Sequence, residues 1–251
     1  MPEGPSIAIM RDAASKFAGQ TILRADGNSK IDIQRLVGLP VVAIRSWGKH
    51  FLIQLPDFSL RIHLLLFGSY RIDERKDASP RLSLGFANGE LNVYACSVEL
   101  IEEPLELRYD WSADTLSDQW DPAAARRKLR AIPDTLACDA LLDQQVFAGA
   151  GNIFKNEVLF RIRVHPLSPL GALPPAKLRE LVAQTRQYAF DFLTWKKAFE
   201  LKKHWQAHRQ RTCPRCAIPL VKAKLGKTQR QSYFCERCQK RFGSGKPTTS
   251  T

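Results

Sequence analysis

The chain has 251 residues, 44% hydrophobic and 25% charged, with a formal net charge of +13. These values exclude a disordered chain and leave room for more than one core, while the positive surface field favours phosphate-rich partners. No apolar run is long enough to span a bilayer and the start MPEGPSIAIMRD lacks a secretory pattern, so a cytoplasmic protein without a membrane partner is expected.

The first informative residues are Pro2 and Glu3. Once Met1 is removed, Pro2 becomes a terminal secondary amine, which can attack a sugar aldehyde carbon and form an iminium ion; a peptide-bonded proline cannot. Ile7, Met10, Ala14 and Phe17 recur at helical spacing between Pro5 and Gly19, which places Pro2 and Glu3 beside the positive end of a short helix. Partial positive charge there disfavours an ammonium and favours a carboxylate.

From Thr21 to about Leu100 the texture is that of short strands: Val41 to Trp47, His50 to Leu55, Leu60 to Leu64, Ser69 to Ile72, Leu82 to Phe86 and Leu91 to Tyr94. Asn88-Gly89 marks a hairpin. Strands without intervening helices predict an antiparallel sandwich or barrel, and the stretch Glu99 to Asp121 reads as a connection. Within the strand region, His63-Leu-Leu-Leu-Phe67-Gly68 ends at a turn, so Leu65, Leu66 and Phe67 either form an apolar wedge or belong to the core.

After Asp121 the pattern is helical. Asp121-Pro122, Asp139, Asn152 and Pro174-Pro175 each open a predicted helix, over AAARRKLRAI, ALLDQQVF, IFKNEVLFRIR and KLRELVAQTRQYAFDFL respectively. Gly149 and Gly151 permit tight turns just before Asn152, which is expected to cap the following helix; the segment is either an ordinary helical hairpin or, with Lys155 one turn on, a phosphate site.

Cys213-Pro-Arg-Cys216 is followed after eighteen residues by Cys235-Glu-Arg-Cys238, the spacing of a four-cysteine zinc ribbon holding one structural zinc. So small a segment depends on its metal to fold. Cys96 and Cys138 stand apart and read as inert core thiols, and His204 and His208 as surface or packing residues. Between the cysteine pairs, the alternating basic run 221–234 reads as a hairpin from which Arg230 can fork onto phosphate oxygens.

Met1-Pro-Glu-Gly-Pro, Gly48-Lys49 between two predicted strands, Gly149 to Phe154, and a ribbon with Arg230 five residues before Cys235 occur in that order. Together they resemble the formamidopyrimidine-DNA glycosylase and endonuclease VIII family of bacterial base-excision repair enzymes, over nearly the whole chain. The resemblance implies an α+β multidomain fold: an N-terminal antiparallel β-sandwich with an N-terminal helix (1–116), a helix-two-turn-helix domain (117–210) and a zinc finger (211–243); the residues of the tail (244–251) themselves read as disordered. It also implies a monomer acting on damaged double-stranded DNA at the bacterial nucleoid.

Residue by residue, it makes Pro2 the nucleophile that attacks C1′ of the damaged nucleotide and Glu3 the acid–base group that assists opening of the sugar ring. Lys49 becomes a phosphate-contacting catalytic lysine, Asn152 and Arg230 grip backbone phosphates, and Glu157 is directed toward the nucleophile. Leu65, Leu66 and Phe67 align with the loop that fills the gap left by the extruded nucleotide. The implied activity is that of a bifunctional glycosylase and abasic-site lyase working by β,δ-elimination. The opening Pro-Glu-Gly-Pro favours the endonuclease VIII branch and oxidised pyrimidines. Ser6 stands where the family usually has Glu, which keeps open a non-catalytic or lyase-only protein that binds damaged DNA.

Overall fold

The computed structural model describes residues 2–243, and the tail assigned to 244–251 lies outside them. The chain divides into two compact units, one ending at Trp111 and the other beginning at Ser112.

The first unit is an antiparallel sandwich. Its strands are β1 (Arg24–Asp26), β2 (Ala43–Trp47), β3 (His50–Gln54), β4 (Ser59–His63), β5 (Ser69–Ile72), β6 (Leu82–Phe86), β7 (Gly89–Tyr94) and β8 (Ser97–Ile101). They form two four-stranded sheets, ordered β1-β6-β7-β5 and β2-β3-β4-β8. Phe51, Ile53, Leu60 and Ile62 from one sheet and Leu82, Leu84, Leu91 and Val93 from the other share one buried cluster, as alternating strands demand. Helix α1 (Gly4–Ala14) contributes Ile7, Met10 and Ala14 to that cluster and packs on β2 and β3. Each fully buried large side chain stabilises by about 1.5–3 kcal/mol, so this helix is held by its apolar face. Beyond it, Phe17 stacks on Phe86 with ring centroids 4.3 Å apart.

Two strands escape sequence reading. Strand β1 has only three residues, with Ala25 its one buried side chain, and therefore shows little alternation. Residues Ser97–Ile101, of which Glu99 onward reads as a connection, pair with β4, and Glu99 meets Arg61 across the strands as an ion pair. Its acidic residue is thus a cross-strand partner. The connection then includes a single helical turn, α2 (Leu105–Arg108).

The second unit contains α3 (Pro122–Arg130), α4 (Ala137–Ala140), α5 (Asn152–Arg161) and α6 (Pro175–Lys197), followed by a hairpin of β9 (Val221–Leu225) and β10 (Arg230–Phe234). Asp121 caps α3 by accepting from the Ala123 amide at 2.7 Å. Leu129, Leu141, Phe147, Phe154, Val158, Leu181, Tyr188 and Phe192 belong to its main core. Phe154 packs edge-on against Tyr188 with centroids 5.1 Å apart, joining α5 to α6.

The helix expected over Ala140–Phe147 is absent. In its place, one turn of α4 is followed by a succession of turns, because Asp143 accepts from the Gln145 amide through its side chain. Such local aspartate bonds compete with helix. The cap of α5 also differs: Gly151 occupies it with an extended backbone, and Asn152 is the first helical residue.

Candidate nucleic-acid interface and catalytic terminus

Glu3 is the N-cap residue of α1 and is buried; its carbonyl accepts from the Ser6 amide at 2.8 Å and more weakly from Ile7. Pro2 precedes it, half-buried, at the positive end of an eleven-residue helix. The first turn of that helix carries no acidic side chain, since Ser6 occupies its third position.

Helix α1 packs on the two strands whose turn carries Lys49. Trp47 and His50 pair directly, leaving Gly48 and Lys49 as a two-residue loop; Gly48 takes φ +52°, a conformation that glycine adopts without steric cost.

Register brings a second feature to the same end of this sheet. Trp47 pairs with His50, His50 with His63, and His63 with Ser97, forming one transverse row. The Lys49 turn leaves the row on one side, and the loop Leu64 to Gly68 leaves it from His63. In that loop Leu65, Leu66 and Phe67 are 49%, 48% and 83% exposed, whereas Leu64 is buried. The turn closes through the Gly68 amide on the Leu64 carbonyl at 2.7 Å. A Cβ on Gly68 would lie 1.9 Å from that carbonyl oxygen, so no other residue fits. Three exposed apolar side chains on so tight a turn form a protrusion, and an apolar protrusion of this kind can enter a gap in stacked bases.

The row is supported by an aromatic cluster that composition gave no reason to expect. His50 Nδ1 lies 3.1 Å from the Tyr109 hydroxyl, and Trp47 Nε1 donates to the Asp110 carbonyl at 2.9 Å. Burial lowers the His50 pKa to about 3, helped by Arg61 and His63, and burial likewise lowers that of His63. Both imidazoles are therefore neutral at physiological pH. The His63 ring stands edge-on to His50 with centroids 5.3 Å apart, beside the apolar loop. Within HLLLF it reads as a strand residue only, so nothing in the local sequence singles it out.

In the second unit, the turns between α4 and α5 are closed by Gln144. It donates to the Leu142 and Ala150 carbonyls at 2.8 and 3.0 Å and accepts from the Gly149 amide at 3.1 Å. This fixes the approach to Asn152. The half-buried Asn152 donates through Nδ2 to the Gln231 carbonyl at 3.0 Å, while its Oδ1 has no protein partner. Arg230, at the start of β10, is exposed.

Two assignments are corrected here. Lys155 is buried, with its ammonium 2.8 Å from Ser232 Oγ and 3.1 Å from the Gln231 carbonyl, so it secures β10 rather than meeting a ligand. Glu157 is also buried: its carboxylate accepts from the consecutive amides of Gln206, Ala207 and His208 at 2.8–3.1 Å. A carboxylate so placed closes a loop, its oxygens committed to backbone amides. Asn156 completes the fastening, accepting from the Tyr233 amide at 3.1 Å and meeting His208 Nδ1 at 3.0 Å. Burial brings the His208 pKa down to about 4, so this partner is neutral.

Asp139, on α4, clamps the tip of the β9–β10 hairpin: it accepts from the Lys227 amide at 2.9 Å and from the Thr228 amide and hydroxyl at 3.2 Å. Sequence reading placed Asp139 at a helix start, because the contact spans 88 residues. The hairpin that presents Arg230 is thus held at its tip and along β10.

Cys213, Cys216, Cys235 and Cys238 place their sulfur atoms within 4.8 Å of one another, and Cys213 and Cys238 are 3.8 Å apart. Four thiolates 2.3 Å from a tetrahedral zinc are separated by about 3.8 Å. The donor set and its spacing fit such an ion. Cys96 and Cys138 are buried, and burial pushes both thiols up to about 11, which leaves them unreactive. Among the described residues, no helix is long and apolar enough to cross a membrane.

Comparison with known proteins agrees with this geometry. Residues 1–96 match the formamidopyrimidine-DNA glycosylase N-terminal domain and residues 112–194 the formamidopyrimidine-DNA glycosylase H2TH domain. An "Endonuclease 8 2" of Mycobacterium tuberculosis is 30% identical over 265 residues, covering 96% of this chain and 100% of that protein. "Endonuclease 8-like 3" of Xenopus laevis is 27% identical, covering 88% of this chain; the chain spans only 38% of that relative's length. Among solved structures, a Lactococcus lactis formamidopyrimidine-DNA glycosylase bound non-covalently to DNA containing an AP site superposes with a TM-score of 0.84 at 23% identity, over 95% of this chain and 100% of that one. With both domains matched in order and a full-length relative at this identity, the chain belongs to the formamidopyrimidine-DNA glycosylase and endonuclease VIII family of DNA-repair proteins.

Proposed function

We propose that the protein is a bifunctional DNA glycosylase and abasic-site lyase acting on oxidised bases in duplex DNA, with pyrimidines favoured. The observation that carries this reading is the placement of Pro2 and Glu3 at the N-terminus of a helix packed on the strands that present Lys49. With Met1 removed, the Pro2 amine attacks C1′ of the target nucleotide, the N-glycosidic bond breaks and the base departs. Glu3 transfers the proton needed to open the sugar ring, giving an iminium between Pro2 and C1′. The iminium acidifies C2′, so β-elimination expels the 3′ phosphate and δ-elimination the 5′ phosphate, leaving a one-nucleotide gap.

Lys49 supplies a cation to the phosphate beside the lesion. His63, neutral and half-buried in the same row, offers an uncharged donor for a backbone oxygen. Leu65, Leu66 and Phe67 fill the space vacated by the extruded nucleotide, offsetting an unstacking cost of a few kcal/mol. On the second unit, Asn152 and Arg230 hold phosphates. The four cysteines hold one structural zinc, which stabilises the ribbon. The protein acts as a monomer.

Borohydride trapping on an abasic duplex tests this reading. The wild type should form a covalent adduct, and Pro2→Gly or a form retaining Met1 should not. Equal trapping by all three would remove Pro2 from the reaction.

Ser6 supports a narrower second reading. With no acidic side chain in the first turn of α1, base expulsion has one carboxylate fewer to draw on, and the protein cuts existing abasic sites faster than it excises bases. Equal rates on abasic and oxidised-pyrimidine substrates would exclude it, and binding without any cutting would show a purely recognitional protein.

A further inference from the structure

The C-terminus of α6 carries an anomaly that neither folding nor lesion chemistry explains. The helix ends with a double-bonded cap: the Phe199 amide donates to the Lys196 carbonyl at 3.1 Å and the Glu200 amide to the Trp195 carbonyl at 2.8 Å. This cap demands a left-handed residue at the position after Ala198, where glycine is usual. Here that residue is Phe199, at φ +59°. Phe199 is also 97% exposed, so its ring gains no packing in return for the strained backbone.

The ring stands on a pinned loop. Trp195 and His204 stack face to face across it, with centroids 4.1 Å apart and planes 7° from parallel, and the Lys203 amide donates to the Glu200 carbonyl at 2.8 Å. Residues 195–204 hold four lysines against one glutamate. Lys203 pairs with that Glu200 at 2.6 Å; Lys196 and Lys202 are exposed and pair with no carboxylate among the described residues. An exposed aromatic face in a field of one sign suits a ligand with flat apolar faces and regular negative charge.

We propose that Phe199, flanked by Lys196 and Lys202, is a stacking site for an unpaired base of a single-stranded nucleic-acid segment, separate from the residues assigned to the lesion. Phe199 receives the base and the two lysines hold neighbouring phosphates. A fully paired duplex offers no free base face, so the site discriminates unpaired from paired DNA. This rests on the DNA-directed reading above, but its test requires no turnover.

Fluorescence anisotropy of the full chain with a dye-labelled oligothymidylate, and with a paired duplex of equal length, reads the site directly. Phe199→Ala should weaken binding to the single strand about fivefold or more and leave duplex binding unchanged. Phe199→Gly should lose the same affinity while its melting temperature stays level or rises, because glycine relieves the left-handed strain. Replacing Lys196 and Lys202 with Ala together should lower the salt slope for the single strand by about 1.4, the value for two phosphates. Wild-type affinity in both Phe199 variants would overturn the site, as would an equal loss on duplex, which would make Phe199 a contact that does not distinguish unpaired from paired DNA. Trapping at Pro2 should be unaffected in these variants. A wild type that traps nothing sinks the catalytic reading, whereas the Phe199 series decides the stacking site.

Discussion

Lys155 on α5 donates to Ser232 Oγ at 2.8 Å and to the Gln231 carbonyl at 3.1 Å, so a buried ammonium fastens the strand that begins with Arg230. Lys155→Met leaves these acceptors without their donor, a cost of about 1–3 kcal/mol. DNA affinity should fall with it, although Lys155 is buried beneath the strand. The salt dependence separates the two roles: Arg230→Ala should reduce the slope by about 1, and Lys155→Met should leave it unchanged. A reduced slope in Lys155→Met would restore Lys155 to the ligand surface.

The hairpin tip offers an independent check. A Cβ on Gly226 would lie 2.5 Å from the Asp139 carboxylate, and Gly226 has φ +70°. Gly226→Ala should therefore cost more than the roughly 1 kcal/mol of a left-handed alanine. In an Asp139→Ala background only the backbone strain remains, so the double variant should be more stable than the two single losses predict. Denaturant unfolding of the four proteins measures this, and simple additivity would contradict the clamp.

Phe67 is exposed and contributes little to the core. Phe67→Ala should change stability by less than about 0.5 kcal/mol. It should slow excision from paired lesions more than cleavage of abasic sites, where no base has to be displaced. Parallel kinetics on the two substrates provide the comparison, and equal slowing would assign Phe67 to general binding.

His50 ties stability to pH. Burial holds its folded pKa near 3, below its ordinary 6.5, so on acidification the unfolded chain takes up the proton first. The contribution is whole above pH 6.5 and is lost as pH falls toward 3, at up to about 1.4 kcal/mol per pH unit. His50→Gln should lower stability at neutral pH and flatten the decline between pH 6.5 and 4. Parallel melting curves for the two proteins across that range would refute the buried neutral imidazole.

Cys235→Ser, or chelation of the native protein, should lower zinc content and DNA affinity together, because the ribbon frames the Arg230 hairpin. The sandwich unit has its own core and should melt as before. Metal analysis, binding and calorimetry on one preparation report all three quantities. Full affinity in the metal-free protein would separate the ribbon from DNA.

Much of this architecture could be read from local pattern. Alternation located the longer strands, helical spacing located α1 and α6, and the doubled cysteine pairs located the ribbon. What failed had non-local causes. Ser97–Ile101 becomes a strand because β4 has an open edge and Arg61 awaits Glu99, and neither is visible within five residues. Ala140–Phe147 has helical composition, yet Asp143 and Gln144 spend their hydrogen bonds on turns. At the site, residue type indicated chemistry and burial reassigned it. Lys155 and Glu157 look like ligand-binding charges in sequence, but each is committed to backbone groups some fifty or more residues away. Arg230 and Phe67 stand exposed, where such groups can meet DNA.

The grip of Glu157 on three successive amides also bears on how this protein can be taken apart. The segment it holds leads directly into the first cysteine pair, and Asn156, one residue earlier, reaches across to β10. The ribbon is therefore not an interchangeable cassette. A ribbon grafted from a relative would inherit its metal but lose its bearing unless the recipient helix brought the matching carboxylate and amide. Insertions between α6 and Cys213 are constrained for the same reason: lengthening that stretch would pull the amides out of register with their single acceptor.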